Sequence, residues 1–279
     1  MKLRIIWLVV LLGLLGHAQA GGGWVYKQGK GYFKLTHWWA VSPLNYDVTG
    51  ELTNQMPVGY FNSSFYGELG LSDRLTGILY VPFFSRMTNY RVNSDPLEPR
   101  EMATGFGDVD ISFKYGLFSY ESFVGAATLT LGVPFGRTGL GMNESLATGD
   151  GEMNVMFRVD ASSTLNLGFV LGWASAYTAY NARSLTFSDE FRFGAELGFK
   201  FWKDRILAIG RLDRVDALGP LESNTGSIFS NNFEFLNLTG EIGVNVTKKL
   251  GLAVTYTKAV SGRSFYESPS FAVGAYLNL

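Results

Sequence analysis

Twelve stretches of this chain alternate apolar with polar residues, and the connectors between them alternate short with long. The stretches fall at about 31–41, 58–71, 74–87, 105–117, 122–134, 151–161, 165–178, 188–201, 205–217, 233–246, 250–261 and 269–279. The short connectors are Ser72-Asp73, Phe118–Glu121, Ser162–Thr164, Trp202–Asp204 and Thr247–Lys249. The long ones are Ser42–Pro57, Thr88–Thr104, Phe135–Asp150, Ala179–Phe187, Leu218–Asn232 and Gly262–Ser268. An up-and-down membrane barrel imposes this parity, with tight turns on the periplasmic side and longer loops outside. A soluble sandwich has no reason to obey it. The expected fold is all-β: a transmembrane antiparallel up-and-down barrel of twelve strands, each about as long as a tilted membrane strand requires.

Face segregation fits that fold. In "GFGDVDISFKYGL" (Gly105–Leu117), Val109, Ile111, Phe113, Tyr115 and Leu117 alternate with Asp108, Asp110, Ser112, Lys114 and Gly116. Successive side chains of a strand point to opposite faces, so the charges share one side. In a barrel that side is the lumen. In "EFRFGAELGFKFW", Phe191, Phe193, Ala195, Leu197, Phe199 and Phe201 oppose Arg192, Gly194, Glu196, Gly198 and Lys200. In "LNLGFVLGW", Leu165, Leu167, Phe169, Leu171 and Trp173 read as outward, with Asn166, Gly168, Val170 and Gly172 inside. Trp38, Trp39, Tyr60, Phe84, Tyr90, Tyr177 and Tyr180 fit an interfacial aromatic girdle. The last stretch, "FAVGAYLNL", resembles the C-terminal strand signal read by the barrel assembly machinery, with Leu279 in place of the usual terminal aromatic.

The ends and the composition agree. Lys2 and Arg4 precede an apolar run from Ile5 to Leu15, and Ala18-Gln19-Ala20 offers a small-x-small cleavage site. That reads as a signal peptide over 1–20, removed on export to the bacterial outer membrane. Residues 21–30 are then either a periplasmic tail or a segment tucked into the barrel mouth, and 31–279 form the barrel. The chain has no Cys, which removes disulfides and thiol chemistry. Its formal net charge of −1 argues against a nucleic-acid partner. Aromatics at 15% and charged residues at only 17% suit a lipid-facing surface. The expected partners are outer-membrane lipid, the assembly machinery during biogenesis and a small hydrophobic substrate.

The segments "GKGYFKLTHWW", "SFYGELGLSDRLTGILYVPFF", "GFGDVDISFKYGL", "ATLTLGVPFG" and "TGDGEMN" together resemble the meta-pathway phenol-degradation family of outer-membrane barrels. The resemblance implies a barrel in the outer membrane and transport of aromatic or other hydrophobic compounds. It carries no catalytic or binding motif onto particular residues.

Candidate functional residues are those facing the lumen: Asp108, Asp110, Lys114, Glu152, Arg158, Asp160, Arg192, Glu196, Lys200, Arg211, Asp213 and Glu241, with Lys34, Glu68 and Glu234 beside them. Both signs are interleaved, which suits cross-strand pairing that braces the wall or lines a path. Arg214 and Asp216 break the alternation; either a bulge re-aims them or the strand has already left the membrane. Loops Thr88–Thr104 and Phe135–Asp150 are long enough to fold inward as constrictions. No enzyme, cofactor or metal site is expected. His37 is the single His beyond the leader, no serine beside it has the spacing of a nucleophile, and no G-x-S-x-G elbow occurs. The leading expectation is a passive channel. A closed structural or surface-interaction barrel is the alternative, and a barrel-embedded lipid esterase a distant third.

Overall fold

A computed structural model describes residues 22–92, 97–142, 144–168, 170–221, 232–267 and 269–279. The leader reading lies outside these residues. The described chain forms β1 (Gly31–Tyr46), β2 (Leu52–Gly70), β3 (Leu75–Tyr90), β4 (Pro99–Gly105), β5 (Val109–Tyr120), β6 (Phe123–Val133) and β7 (Asn154–Asn166). It continues with β8 (Leu171–Arg183), β9 (Glu190–Phe201), β10 (Ile206–Ala217), β11 (Glu234–Asn245), β12 (Leu250–Arg263), β13 (Phe265–Tyr266) and β14 (Ser270–Asn278). Every pairing is antiparallel, and β1 closes the sheet by bonding β2 on one side and β13 and β14 on the other. β4 and β5 both pair with β3 and make one stave; β13 and β14 make another along β1. The result is a closed barrel of twelve staves, with no helix among the described residues.

Burial is inverted relative to a soluble protein. Leu35, Phe113, Phe157 and Val254 are each about half exposed, whereas Glu68 is 0% and Glu190 1% exposed. Register fixes the faces: Phe113 pairs with Gly77 and Leu129, while its neighbour Lys114 pairs with Thr76 and Thr128 inside. An apolar belt facing outward with carboxylates sealed within is the arrangement lipid demands, since bare charge at the bilayer midplane costs about 2–4 kcal/mol. The apolar C-terminal strand is paired rather than left as a sticky edge, and the Leu279 N–H donates to the Gly31 carbonyl.

The structure departs from the sequence reading in several places. The β1–β2 connector is only a turn, because β1 runs to Tyr46 and β2 starts at Leu52. Much of Thr88–Thr104 extends the β3–β4 ladder instead of folding inward. The turn expected at Ser162–Thr164 lies at 167–170, where Gly168 takes a positive φ and its N–H is accepted by Asn166 Oδ1. That shift reverses the parity of β8. Trp173 and Leu171 therefore stand opposite the inward residues Gly198 and Lys200, and Gly172 lies beneath the outward ring of Phe199. Three supposed girdle aromatics are lumenal: Tyr60 bonds Ser85, Trp38 packs edge-on against Tyr60, and Tyr177 bonds Asp213.

No bulge re-aims Arg214 and Asp216, because β10 pairs with both neighbours without a slip. They share the outer face with Phe193 and Phe191 near the long-loop end. Glu234, expected inside, lies instead against Arg214 and Arg263.

Candidate functional site

The lumen carries ion pairs, some between staves and some within one strand. Near the short-turn end Lys114 Nζ meets Glu68 Oε2 at 3.0 Å, and Tyr66 donates to the other Glu68 oxygen at 2.6 Å. At mid-height Arg211 bridges Glu196 (2.6 Å) and Glu241 (3.1 Å), and Glu241 also takes Lys34 at 3.2 Å. Arg158 grips Asp160 through two nitrogens and lies over the Tyr177 ring at 3.7 Å. The Tyr177 hydroxyl then donates to Asp213 at 2.8 Å. Toward the long-loop end Arg192 pairs with Glu190. Asp110 stands opposite Tyr80 on β3, and Lys200 faces a cavity described below. Glycines make room for the aromatics: the Trp173 ring occupies the space a side chain at Gly198 would need, and Tyr177 does the same over Gly194.

Two of the predicted residues act outside the strands. The Asp108 carboxylate, at the break between β4 and β5, accepts the N–H of Gly136 and of Asp150, each at 2.8 Å. It thereby clamps both ends of the loop between β6 and β7. That loop turns inward and buries Leu146 completely against Val58, Met87, Ala103 and Tyr266. Glu152, at the loop's end, is held by Arg183, which also takes Asp150 (3.3 Å) and Glu190 (2.9 Å). The constriction expected of Phe135–Asp150 is thus built by an apolar peg and a carboxylate clamp.

Burial pushes the Glu152 carboxyl up to about 7, against the pull of Arg183. Asp150 rises to about 6 through burial and the neighbouring Asp108 charge. Acids whose folded pKa is raised hold protons that the released loop gives up. Docking is therefore strongest below the ordinary carboxylate range, about pH 4, and weakens as pH rises through 6 to 7. The absence of Cys permits a single spin label at Met142→Cys, an exposed loop position. Its mobility should increase from pH 5 to pH 8, and Glu152→Gln should flatten the response. A mobility independent of pH in the parent would contradict this.

The second constriction was only half legible in the sequence. Residues 22–30 enter the short-turn mouth and follow the inner wall. The Gly29 N–H donates to Gly70 O on β2, and the Gly70 N–H returns to Lys30 O. The Tyr26 N–H donates to Thr76 on β3, and Lys114 on β5 reaches the Trp24 carbonyl. The Gly23 N–H donates to Ser162 on β7, whose hydroxyl donates in turn to Ser175 on β8. This strap covers the wall from β2 to β8. The remaining side, from β8 through β11 to β14 and β1, keeps a cavity of about 1030 Å³.

His37 has a serine beside it after all: Ser63 Oγ lies 2.8 Å from His37 Nδ1 across the β1–β2 ladder. The pair faces outward, between Phe33 and Leu35 on one side and Trp39 and Val41 on the other. It therefore sits among outward-facing apolar side chains, and the Phe61 ring stacks on the imidazole. The hydrogen bond gives each of the two polar groups a partner on a face where lipid offers none.

No protein-family profile matches the chain, and no curated protein matches it in sequence. Solved structures do match its shape. An outer membrane channel from Pseudomonas putida F1 superposes with a TM-score of 0.66 at 14% identity, over 94% of this chain and 100% of that one. The NanC porin gives 0.54 at 6% identity, over 88% of this chain and 100% of the porin. The β domain of the Bordetella autotransporter BrkA gives 0.50 at 11% identity, over 90% and 100%. The fold is that of the outer-membrane β-barrels. Two of these three similar structures are a channel and a porin.

Proposed function

We propose that the protein is a passive channel of the outer membrane, with the strap at the periplasmic mouth and the infolded loop at the outer one. The observation that carries the reading is the cavity of about 1030 Å³ left on one side of the lumen by a strap that covers only the other. A barrel serving purely as a brace has no use for an open half lined by polar and aromatic side chains. Twelve staves also lie between eight-stranded barrels that side chains can fill and the wide 16–18-stranded porins, which suits a narrow path. The fold shared with channels and porins is consistent with this. The sequence resemblance to the phenol-degradation family supports small hydrophobic or aromatic compounds as cargo, and the aromatic lining of the cavity suits them.

Proteoliposomes containing the folded protein should admit a small neutral sugar slowly and without an energy source. Vesicles no more permeable than protein-free ones would overturn the channel reading in favour of a sealed structural barrel.

A further inference from the structure

The cavity beside the strap holds a cation that no ion pair or hydrogen bond engages among the described residues. Lys200 faces inward from β9 and lines the cavity, and among the described residues it makes no ion pair or hydrogen bond. The other strand-borne cations on this cavity wall are already paired: Lys34 with Glu241, Arg211 with Glu196 and Glu241, Arg158 with Asp160. Asp204, in the turn after β9, influences Lys200 electrostatically but forms no ion pair with it. An unmatched ammonium partly withdrawn from water is a standing cost that an anion relieves.

The wall next to Lys200 is apolar, which is unusual for a lumen. Leu207 pairs directly with Lys200, and Ile209 pairs with Gly198, over which the Trp173 ring lies. Tyr276 continues the surface by crossing Gly251, in the cluster with Tyr32 and Ala253 against which Leu207 packs. Lys203, Arg205 and Lys248 line the cavity from the turns at one end, outnumbering the single acid there, Asp204. They raise the local concentration of anions in a salt-dependent way.

We infer that this pocket binds a small amphiphilic carboxylate, its anion on Lys200 and its apolar body against Trp173, Leu207, Ile209 and Tyr276. The inference rests on the channel reading for its biological sense and narrows the cargo from hydrophobic compounds to those carrying one negative end. A cation would meet Lys200 as a like charge. A sugar would leave the apolar wall unused.

The test is equilibrium binding of 4-phenylbutyrate and its neutral amide to the folded protein in lipid nanodiscs, corrected with empty discs. The acid should bind at least tenfold more tightly than the amide in the parent. In Lys200→Gln that preference should vanish while amide affinity is unchanged, and Leu207→Ser should weaken both ligands together. Heat-modifiable mobility verifies that each variant is folded. Equal affinity for acid and amide in the parent overturns the inference, as does failure of both to bind or an acid preference that survives Lys200→Gln. Because binding is read without transport, selective binding by a non-conducting barrel would leave the site standing and remove only the channel.

Discussion

Arg183→Ala should be the most damaging single substitution in this barrel, costing about 3–5 kcal/mol, the scale of a buried ion pair stripped of one partner. The Arg183 side chain is 4% exposed and serves Asp150, Glu152 and Glu190 at once, while its guanidinium lies 4.3 Å from the centre of the Phe187 ring. Removing it leaves three acids with, among the described residues, only Arg192 paired to one of them. Glu152 Oε2 already has no hydrogen-bond partner among the described residues, so nothing there absorbs the loss. Urea unfolding in lipid vesicles, followed by heat-modifiable mobility, reads the effect. Arg183→Lys should recover only part of it, since one ammonium cannot reproduce a guanidinium fork. Adding Glu152→Gln to Arg183→Ala should recover some stability, because the amide needs no proton taken up to stay neutral in this buried position. A loss below about 1 kcal/mol, typical of an exposed pair, would show that water reaches this cluster freely.

Gly70→Ala should open the channel. A Cβ on Gly70 would overlap the Lys27 carbonyl and stand 2.5 Å from the carbonyl oxygen of Tyr26. Both obstacles are backbone, so no rotamer change relieves the clash. The wall is a strand paired along its length on both sides, whereas the strap has two hydrogen bonds at Gly70 and one each at β3, β5 and β7, so the strap gives way. Each such bond contributes about 0.5–1.5 kcal/mol, less than the cost of distorting the ladder. Permeation of small sugars into proteoliposomes should rise several-fold over wild type and admit larger solutes. Unchanged permeation and size limit would mean that the strap does not set the narrowest point.

The barrel was legible in the sequence because a strand's period of two is rigid. Once the apolar face of "EFRFGAELGFKFW" is set against lipid, Arg192, Glu196 and Lys200 can only point inward. Connector parity then closes the topology. Turn position was less legible. Ser162, Ser163 and Thr164 look like turn formers, yet Ser162 spends its hydroxyl on the strap and Ser175 from within a strand. The error moved Trp173 to the wrong face. Contacts set by long-range register were invisible for a different reason. Ser63 meets His37 only through the β1–β2 ladder, and Asp108 finds its two N–H donors in a loop that begins two strands later, after β6. The apolar patch of Leu207 and Ile209 escaped notice because "ILAI" is greasy on both faces, so alternation gives no sign there.

The central claim is that solute crosses the membrane through this lumen. Single-channel recording of the folded wild-type protein in a planar lipid bilayer tests it most directly. Discrete, small current steps that scale linearly with voltage and grow in Gly70→Ala are expected. Silence from both proteins, each inserted and heat-modifiable, would contradict the claim and leave a closed barrel.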